Sequence, residues 1–86
     1  MKIAVIIVHF GKIETTKTCL KELTKKINNH RVIVINNTSD DVSALAKIIP
    51  STQVIENKSN VGFAKAVNQG IKIALADFSI THILLL

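Results

Sequence analysis

Three short stretches of the chain are dominated by apolar residues, and they constrain the fold more than any other feature. They cover residues 3–8, 31–35 and 80–86. Runs of this length with little polar alternation, bounded by turn-forming residues, are typical of strands that are covered on both faces, as in a parallel sheet. A shorter strand is predicted at residues 52–56, just after Pro50. The chain is therefore predicted to contain four strands.

The segments between these strands show helical periodicity. Their apolar residues recur at spacings of three and four, which places them on one face of a helix. Helices are predicted at residues 14–28, at residues 41–48, and after the turn at residues 57–62 up to about residue 77. The residues expected to face inward are Thr16, Leu20, Leu23 and Ile27 in the first helix, Val42, Leu45, Ala46 and Ile49 in the second, and Phe63, Ala66, Val67, Gly70, Ile71, Ala74, Leu75 and Phe78 in the third. Ser39, Asp40 or Asp41 is expected to cap the second helix.

Strands that alternate with helices predict an α/β fold. Right-handed crossovers then give a three-layer, doubly wound parallel sheet, and 86 residues make one domain at most, residues 1–86. Ligands of such sheets bind at the carboxyl ends of the strands. The loops at residues 9–12, 36–40 and 57–62 are predicted to lie along that edge.

The charge of the chain favours an anionic partner. Eleven Lys and Arg against six Asp and Glu give a formal net charge of +5, which suits a nucleotide, a nucleic acid or a membrane surface. Stacking aromatic side chains and Cys/His metal spacings are missing from the sequence, so no nucleic-acid partner is predicted. No run reaches the ~18 apolar residues of a membrane span. The single Cys19 gives no intrachain disulfide, and a cytoplasmic location is predicted.

Three motifs, taken in their order along the chain, resemble those of family 2 glycosyltransferases, especially the rhamnosyltransferase-like members. The motif Asn60-Val61-Gly62-Phe63-Ala64, followed by Asn68-x-Gly70-Ile71, is similar to the family's Asn-x-Gly-Phe-Ala…Asn-x-Gly-Ile signature. Residues 3–11 and 32–40 are similar to its first two strands and the loops after them. The resemblance implies strand order 3-2-1-4 in a Rossmann-like sheet, the N-terminal half of a GT-A (nucleotide-diphospho-sugar transferase) fold.

The resemblance also implies a set of nucleotide-binding residues. These are Val8, His9, Phe10, Asn36, Asn37, Asn60, Gly62, Lys65 and Asn68. The first three would border the nucleobase through backbone groups. Many family members have an acidic residue where this chain has Asn36, whose amide oxygen can still accept a hydrogen bond from the base. The alternative is that Asn36 and Asn37 only shape the turn and cap the next helix.

The turn before the third helix is expected to lie near the diphosphate. Asn60, Gly62 and Lys65 would supply backbone amides and a positive charge. Many relatives have a basic residue where this chain has Val67. Gly70 has a structural interpretation, because glycine inside a helix permits close approach to a sheet.

The resemblance places the reaction chemistry outside this chain. In the family, an Asp-x-Asp-like motif follows the fourth strand and holds Mg²⁺ or Mn²⁺, which is expected for the full-length parent, and the acceptor site and catalytic base lie further on. No catalytic or metal-binding residue is predicted here, and the chain alone is not expected to transfer sugar. It is interpreted as the truncated nucleotide-sugar-binding domain of an enzyme that transfers a sugar from a nucleotide diphosphate sugar to a hydroxyl in polysaccharide synthesis.

Two other functions stay open on the sequence. One is a non-catalytic interaction module that forms homo-oligomers through the edge of its C-terminal strand, where residues 83–86 are apolar. The other is a Rossmann-like dinucleotide binder, although no Gly-x-Gly-x-x-Gly follows the first strand.

Overall fold

Strands and helices alternate along the chain in the computed structural model, which describes residues 2–26 and 30–86. The strands are β1 (Ile3–His9), β2 (His30–Asn36), β3 (Gln53–Glu56) and β4 (His82–Leu85), and the helices are α1 (Ile13–Lys26), α2 (Leu45–Ile48) and α3 (Phe63–Leu75). The predicted alternation is confirmed. The predicted end of the first helix, with Ile27, lies outside the described residues.

The strands form one parallel sheet in the order β3-β2-β1-β4. This is the order that the family resemblance implies, and it places β1 and β2 in the centre. His9 pairs with Asn36, and Asn36 pairs with Glu56. The carboxyl ends of β1, β2 and β3 are therefore level with one another at one edge of the molecule.

Helices cover both faces of the sheet, which gives the three predicted layers. The core on the side of α1 and α2 contains Val5, Ile7, Leu20, Leu23, Val32, Val34, Val42, Leu45 and Ile49, and the core on the side of α3 contains Ala4, Ile33, Ile35, Ala66 and Ala74. The two central strands are buried on both faces, as their uninterrupted apolar sequences predict. None of the helices in the described part of the chain is long and apolar enough to cross a membrane.

The contact between α3 and the sheet depends on small side chains. Ala66, Gly70 and Ala74 are the buried residues of this helix. A Cβ atom on Gly70 would lie 2.7 Å from Ile6 Cγ2 on β1, which is too close for two carbon atoms. The structural interpretation of Gly70 is confirmed, because only glycine lets the helix approach β1 this closely.

The predicted apolar face of α3 is wider than the buried one. Phe63, Leu75 and Phe78 are exposed by 55%, 66% and 99%, so the prediction that they face inward is wrong. A narrow stripe of small residues brings the helix axis close to the sheet. Large side chains at the margins of the stripe then lie outside the contact.

The second helix is shorter than predicted. It covers only Leu45–Ile48, its N-cap is Ala44, and the cap makes no side-chain hydrogen bond. Asp41 instead accepts a hydrogen bond from the backbone N–H of Ser43 at 2.9 Å, a local turn that competes with the helix. Ala46 is exposed, so its predicted inward position is wrong, whereas Leu45 is buried as predicted.

Candidate functional site

The three predicted loops meet at the carboxyl edge of the sheet. The backbone N–H of Asn37 donates to the carbonyl of His9 at 2.8 Å, and the backbone N–H of Asn57 donates to the carbonyl of Asn36 at 3.0 Å. These two bonds continue the strand pairing into the loops that follow β1, β2 and β3. The expectation that the loops share one edge is confirmed.

The side chain of Asn36 is buried, and each of its polar atoms has partners within the protein. Its Nδ2 donates to Glu56 Oε1 at 2.6 Å and to the carbonyl of Asp40 at 3.0 Å. Its Oδ1 accepts from the backbone N–H of Thr38 at 3.1 Å and from the Thr38 hydroxyl at 2.7 Å. Two donors and two lone pairs are all that a carboxamide offers. This arrangement favours the turn-shaping alternative for Asn36, and its contact with a nucleobase stays a prediction.

Four carboxamide side chains connect the edge of the sheet to the start of α3, and we call this set the amide network: Asn37, Asn57, Asn60 and Gln69. Asn37 Nδ2 donates to Asn60 Oδ1 and to the carbonyl of Gly62, both at 3.3 Å. Asn57 Nδ2 donates to Asn37 Oδ1 at 2.8 Å. Asn57 and Gln69 exchange two further hydrogen bonds, of 2.8 and 2.9 Å.

The amide network fixes the turn before α3 against the sheet. Only 3% of the surface of Asn37 is exposed. Burying a polar side chain is favourable only when its hydrogen bonds are satisfied. Within the turn, Asn60 Oδ1 also accepts from the backbone N–H of Gly62 at 2.8 Å. Gly62 has φ +94°, a conformation that glycine adopts without strain.

His9 is fully buried at the end of β1 on the side of α1. Its Nδ1 forms a hydrogen bond of 2.6 Å with Thr16 Oγ1 of α1, and its Nε2 has no hydrogen-bond partner among the described residues. Burial lowers the pKa of His9, and the Asp40 carboxylate opposes this shift in part. The neutral imidazole is therefore favoured in the folded chain.

The stability of the domain is expected to decrease as the pH falls through the titration range of His9. The pKa of His9 in the folded chain is below its ordinary value of 6.5, so the unfolded chain binds the proton more tightly. The contribution of His9 to stability is complete above pH 6.5, and it is lost progressively as the pH falls towards the lower folded pKa. Chemical denaturation at about pH 7.5 and about pH 5.5 measures this loss across the ordinary titration range of histidine.

The control for this pH effect is His9→Gln, which keeps a polar side chain of similar length but does not titrate. Its free energy of unfolding should depend less on pH than that of the wild type. The same pH dependence in both proteins would contradict the assignment to His9.

Comparison with known protein families shows to which family the chain belongs. A family model described as glycosyl transferase family 2 matches residues 4–84 of the 86-residue chain. The chain belongs to this family. A search of curated proteins found no match to it. The narrower likeness to rhamnosyltransferase-like members stays a prediction.

Other predicted site residues of this family 2 glycosyltransferase domain lie outside the amide network. Val8 is partly buried against the core under α3, and Phe10, in the loop at residues 9–12, is 63% exposed. Lys65 and Asn68 are exposed on α3, where they line a surface depression of about 480 Å³. Asn68 is six residues beyond Gly62, about 9 Å along the helix axis. Binding roles for these four residues stay predictions.

Metal-binding side chains are not clustered in the described part of this family 2 glycosyltransferase domain. Within residues 2–26 and 30–86, no group of three or more His, Cys, Asp and Glu side chains is placed to hold a metal ion. The described residues therefore do not fit a Mg²⁺ or Mn²⁺ site. The metal ion expected for the full-length parent stays a prediction about that parent.

Three residues of the site were missed on the sequence: Glu56, Asn57 and Gln69. The sequence indicates Asn57 only as part of a turn, and Gln69 lies next to Asn68, which belongs to the family motif. The available signal was the concentration of carboxamides at strand ends and near the start of the third helix. Side chains of this kind need partners when they are buried, which makes contacts among them the natural expectation.

Proposed function

We propose that this family 2 glycosyltransferase domain binds the nucleotide part of a nucleotide diphosphate sugar. The proposed site lies along the loops at residues 9–12, 36–40 and 57–62. The observation that carries the proposal is the amide network, because it joins the loops after β2 and β3 to the start of α3. Family membership supports a sugar-transfer role, and the carboxyl edge of a parallel sheet is the usual ligand position.

The turn before α3 suits the diphosphate. The first backbone N–H groups of a helix have no acceptor within the helix and attract anions. Gly62 is the N-cap of α3, and the first turn of the helix contains no acidic residue. Lys65 lies in that turn and adds a positive charge. These groups would hold the diphosphate, and the backbone around Val8 and Phe10 would border the base.

The proposed task of this domain is to bind and orient the donor. The full-length parent would transfer the sugar to a hydroxyl acceptor in polysaccharide synthesis. Holding the donor in one orientation contributes to such a reaction by removing translational and rotational freedom before the acceptor attacks.

Isothermal titration calorimetry with uridine diphosphate, thymidine diphosphate, adenosine diphosphate and uridine tests the proposal. Uridine or thymidine diphosphate is expected to bind with a Kd of about 1 mM or tighter, equivalent to about −4 kcal/mol. Uridine should bind more weakly, because it lacks the diphosphate. Absence of binding by both pyrimidine diphosphates at several times that concentration would contradict the proposal, and equal binding of all three diphosphates would restrict it to anion binding.

Self-association through β4 is a second candidate function. In the described chain, β4 pairs with β1 on one side and has no partner strand on the other. Ile83 and Leu85 are 40% and 45% exposed on this strand, and Leu86 is 49% exposed after it. Unpaired strand edges with apolar side chains favour pairing with another chain. A second copy that adds its own β4 would extend the sheet across a two-fold axis.

Sedimentation velocity over a range of concentrations tests this second candidate. The wild type is expected to form dimers as its concentration rises, and Leu85→Lys should stay monomeric, because lysine at a strand edge opposes pairing. Thr18→Lys, on the exposed face of α1, is the matched charge control and should dimerise like the wild type. A wild type that stays monomeric at the highest concentration would rule out this candidate.

A further inference from the structure

The amide network has one direction of hydrogen bonding, and the backbone of Gly62 sets it. A backbone N–H only donates and a backbone carbonyl only accepts. The N–H of Gly62 donates to Asn60, so the Asn60 atom that faces it is the oxygen. The carbonyl of Gly62 accepts from Asn37, so the Asn37 atom that faces it is the nitrogen.

This direction continues to the far end of the network. Because the nitrogen of Asn37 faces Gly62, its oxygen faces Asn57, which must present its own nitrogen. The oxygen of Asn57 then faces Gln69, which must donate from Nε2. Each of the four carboxamides is therefore fixed in one of its two possible orientations.

The consequence for Asn60 is that its free atoms are donors. Asn60 Oδ1 accepts two hydrogen bonds, from Gly62 and from Asn37, and an amide oxygen has two lone pairs. Asn60 is exposed, and its Nδ2 donates to none of the described residues. The side chain thus offers two N–H groups outward from the turn that precedes α3.

We infer that Asn60 acts at the proposed site as a hydrogen-bond donor only, toward ligand oxygens that only accept, and that Asn37, Asn57 and Gln69 are positioning residues that hold it in this orientation. The inference rests on the proposed function. The phosphate oxygens of a nucleoside diphosphate are the matching ligand groups, since they are acceptors and form strong hydrogen bonds because of their charge. The imide N–H of a pyrimidine base is excluded as a partner for Asn60, because it needs an acceptor.

Asn60→Ser tests the donor directly. A serine oxygen can still accept the hydrogen bond from Gly62 and preserve the turn, but the outward NH₂ group is lost. Affinity for uridine diphosphate is expected to fall about tenfold, the usual effect of removing a hydrogen bond to a charged group. In the wild type, uridine diphosphate should shift the side-chain NH₂ signals of Asn60 in ¹H–¹⁵N spectra. Unchanged affinity and unmoved NH₂ signals would overturn the donor assignment.

Gln69→Met tests the positioning role at a distance from the ligand. Methionine has similar length and no charge, and it removes the two hydrogen bonds that Gln69 exchanges with Asn57, which in turn donates to Asn37. Affinity for uridine diphosphate is expected to fall about fivefold, less than the full loss of a hydrogen bond, because Asn60 keeps its donors and its bond to Gly62 and loses only the support that reaches it through Asn57 and Asn37. The matched control is Gln53→Met at the opposite end of the sheet, which should bind like the wild type. Equal affinities of the two variants would overturn the positioning role.

Gln69→Glu provides a readout that a purely structural role would not produce. At about pH 7.5 the carboxylate only accepts and opposes the oxygen of Asn57, whereas at about pH 4 an ordinary glutamate is largely protonated and donates again. The affinity relative to the wild type at the same pH should therefore recover as the pH falls. A ratio that does not change with pH would overturn the inference even if the variant binds weakly.

These experiments separate the inference from the proposed function. If the wild type binds uridine diphosphate and the Asn60 and Gln69 variants bind equally well, the inference is wrong and the proposed function stands. If the wild type does not bind any pyrimidine diphosphate, both are wrong.

Discussion

Replacement of Gly70 by valine is expected to lower the free energy of unfolding by about 3 kcal/mol, the upper part of the range for overpacked cores. A Cβ atom at this position would lie 2.7 Å from Ile6 Cγ2 and 3.2 Å from Ile6 Cγ1 and Cδ1. Ile6 is fully buried on the central strand β1. The helix and the strand therefore cannot move apart without opening the core. For a domain of this size the change corresponds to a decrease in Tm of about 15 °C. Thermal and chemical denaturation measure it.

The matched control for Gly70→Val is Ala64→Val on the same helix. Ala64 is exposed, so the change should lower the free energy of unfolding by less than about 1 kcal/mol, the difference in helix propensity. The double variant Gly70→Ala with Ile6→Ala tests the contact between position 70 and Ile6 itself, because the shortened side chain on β1 leaves room for the new methyl group. Wild-type stability of Gly70→Val would contradict the close approach of α3 to β1.

Replacement of Asn37 by leucine is expected to destabilise the domain by about 3 kcal/mol, because three part-buried hydrogen bonds are lost at once. Asn37 is 3% exposed, and leucine fills a similar volume. The carbonyl of Gly62 would keep only its hydrogen bond from the backbone N–H of Ala66, and one N–H of Asn57 would lose its acceptor on Asn37. The turn before α3 would lose its attachment to the sheet, so binding of uridine diphosphate should fall below detection. Denaturation and calorimetry measure the two effects.

Gln53→Leu is the control for Asn37→Leu, since it removes a carboxamide at the opposite end of the sheet. Gln53 is partly buried and accepts one hydrogen bond from Arg31, so its loss should lower the free energy of unfolding by about 1 kcal/mol or less. Nucleotide binding by Gln53→Leu should match the wild type. Asn37→Leu with wild-type stability and binding would show that the amide network is not needed at this edge.

The layered fold was predictable from sequence because its determinants are local. The apolar run at residues 3–8 is too uniform for a strand with one solvated face. The spacing of Thr16, Leu20 and Leu23 identified the buried stripe of α1, and all three are buried. Parallel pairing then required the loops at residues 36–40 and 57–62 to lie at one edge.

The exact faces of the helices were less predictable because they depend on the distance to the sheet. The periodicity of α3 includes Phe63 and Leu75, whose size and apolarity suggest burial. Gly70 allows the helix to lie so close to β1 that only three small residues of the helix are fully buried. Hydrophobic spacing identifies a direction on the helix, and the closeness of packing determines how many residues on that side are buried.

The side-chain contacts of the site were not predictable because they join distant parts of the chain. Gln69 meets Asn57 across 12 residues, and Asn37 meets Gly62 across 25. Such contacts depend on strand register and on the position of α3 over the sheet. The oxygen of Asn36 is a different case, because its contact is local: Thr38, two residues further along the chain, donates both hydrogen bonds that this oxygen accepts.

A ¹H–¹⁵N titration of the whole chain with uridine diphosphate and with thymidine diphosphate tests the nucleotide site most directly. Signals from residues 9–12, 36–40 and 57–62 are expected to move together with one dissociation constant, whereas those from the amino ends of the strands, such as Arg31 and Gln53, should stay in place. No shifts in the three loops with either nucleotide, or shifts spread over the opposite edge of the sheet, would contradict the proposed site.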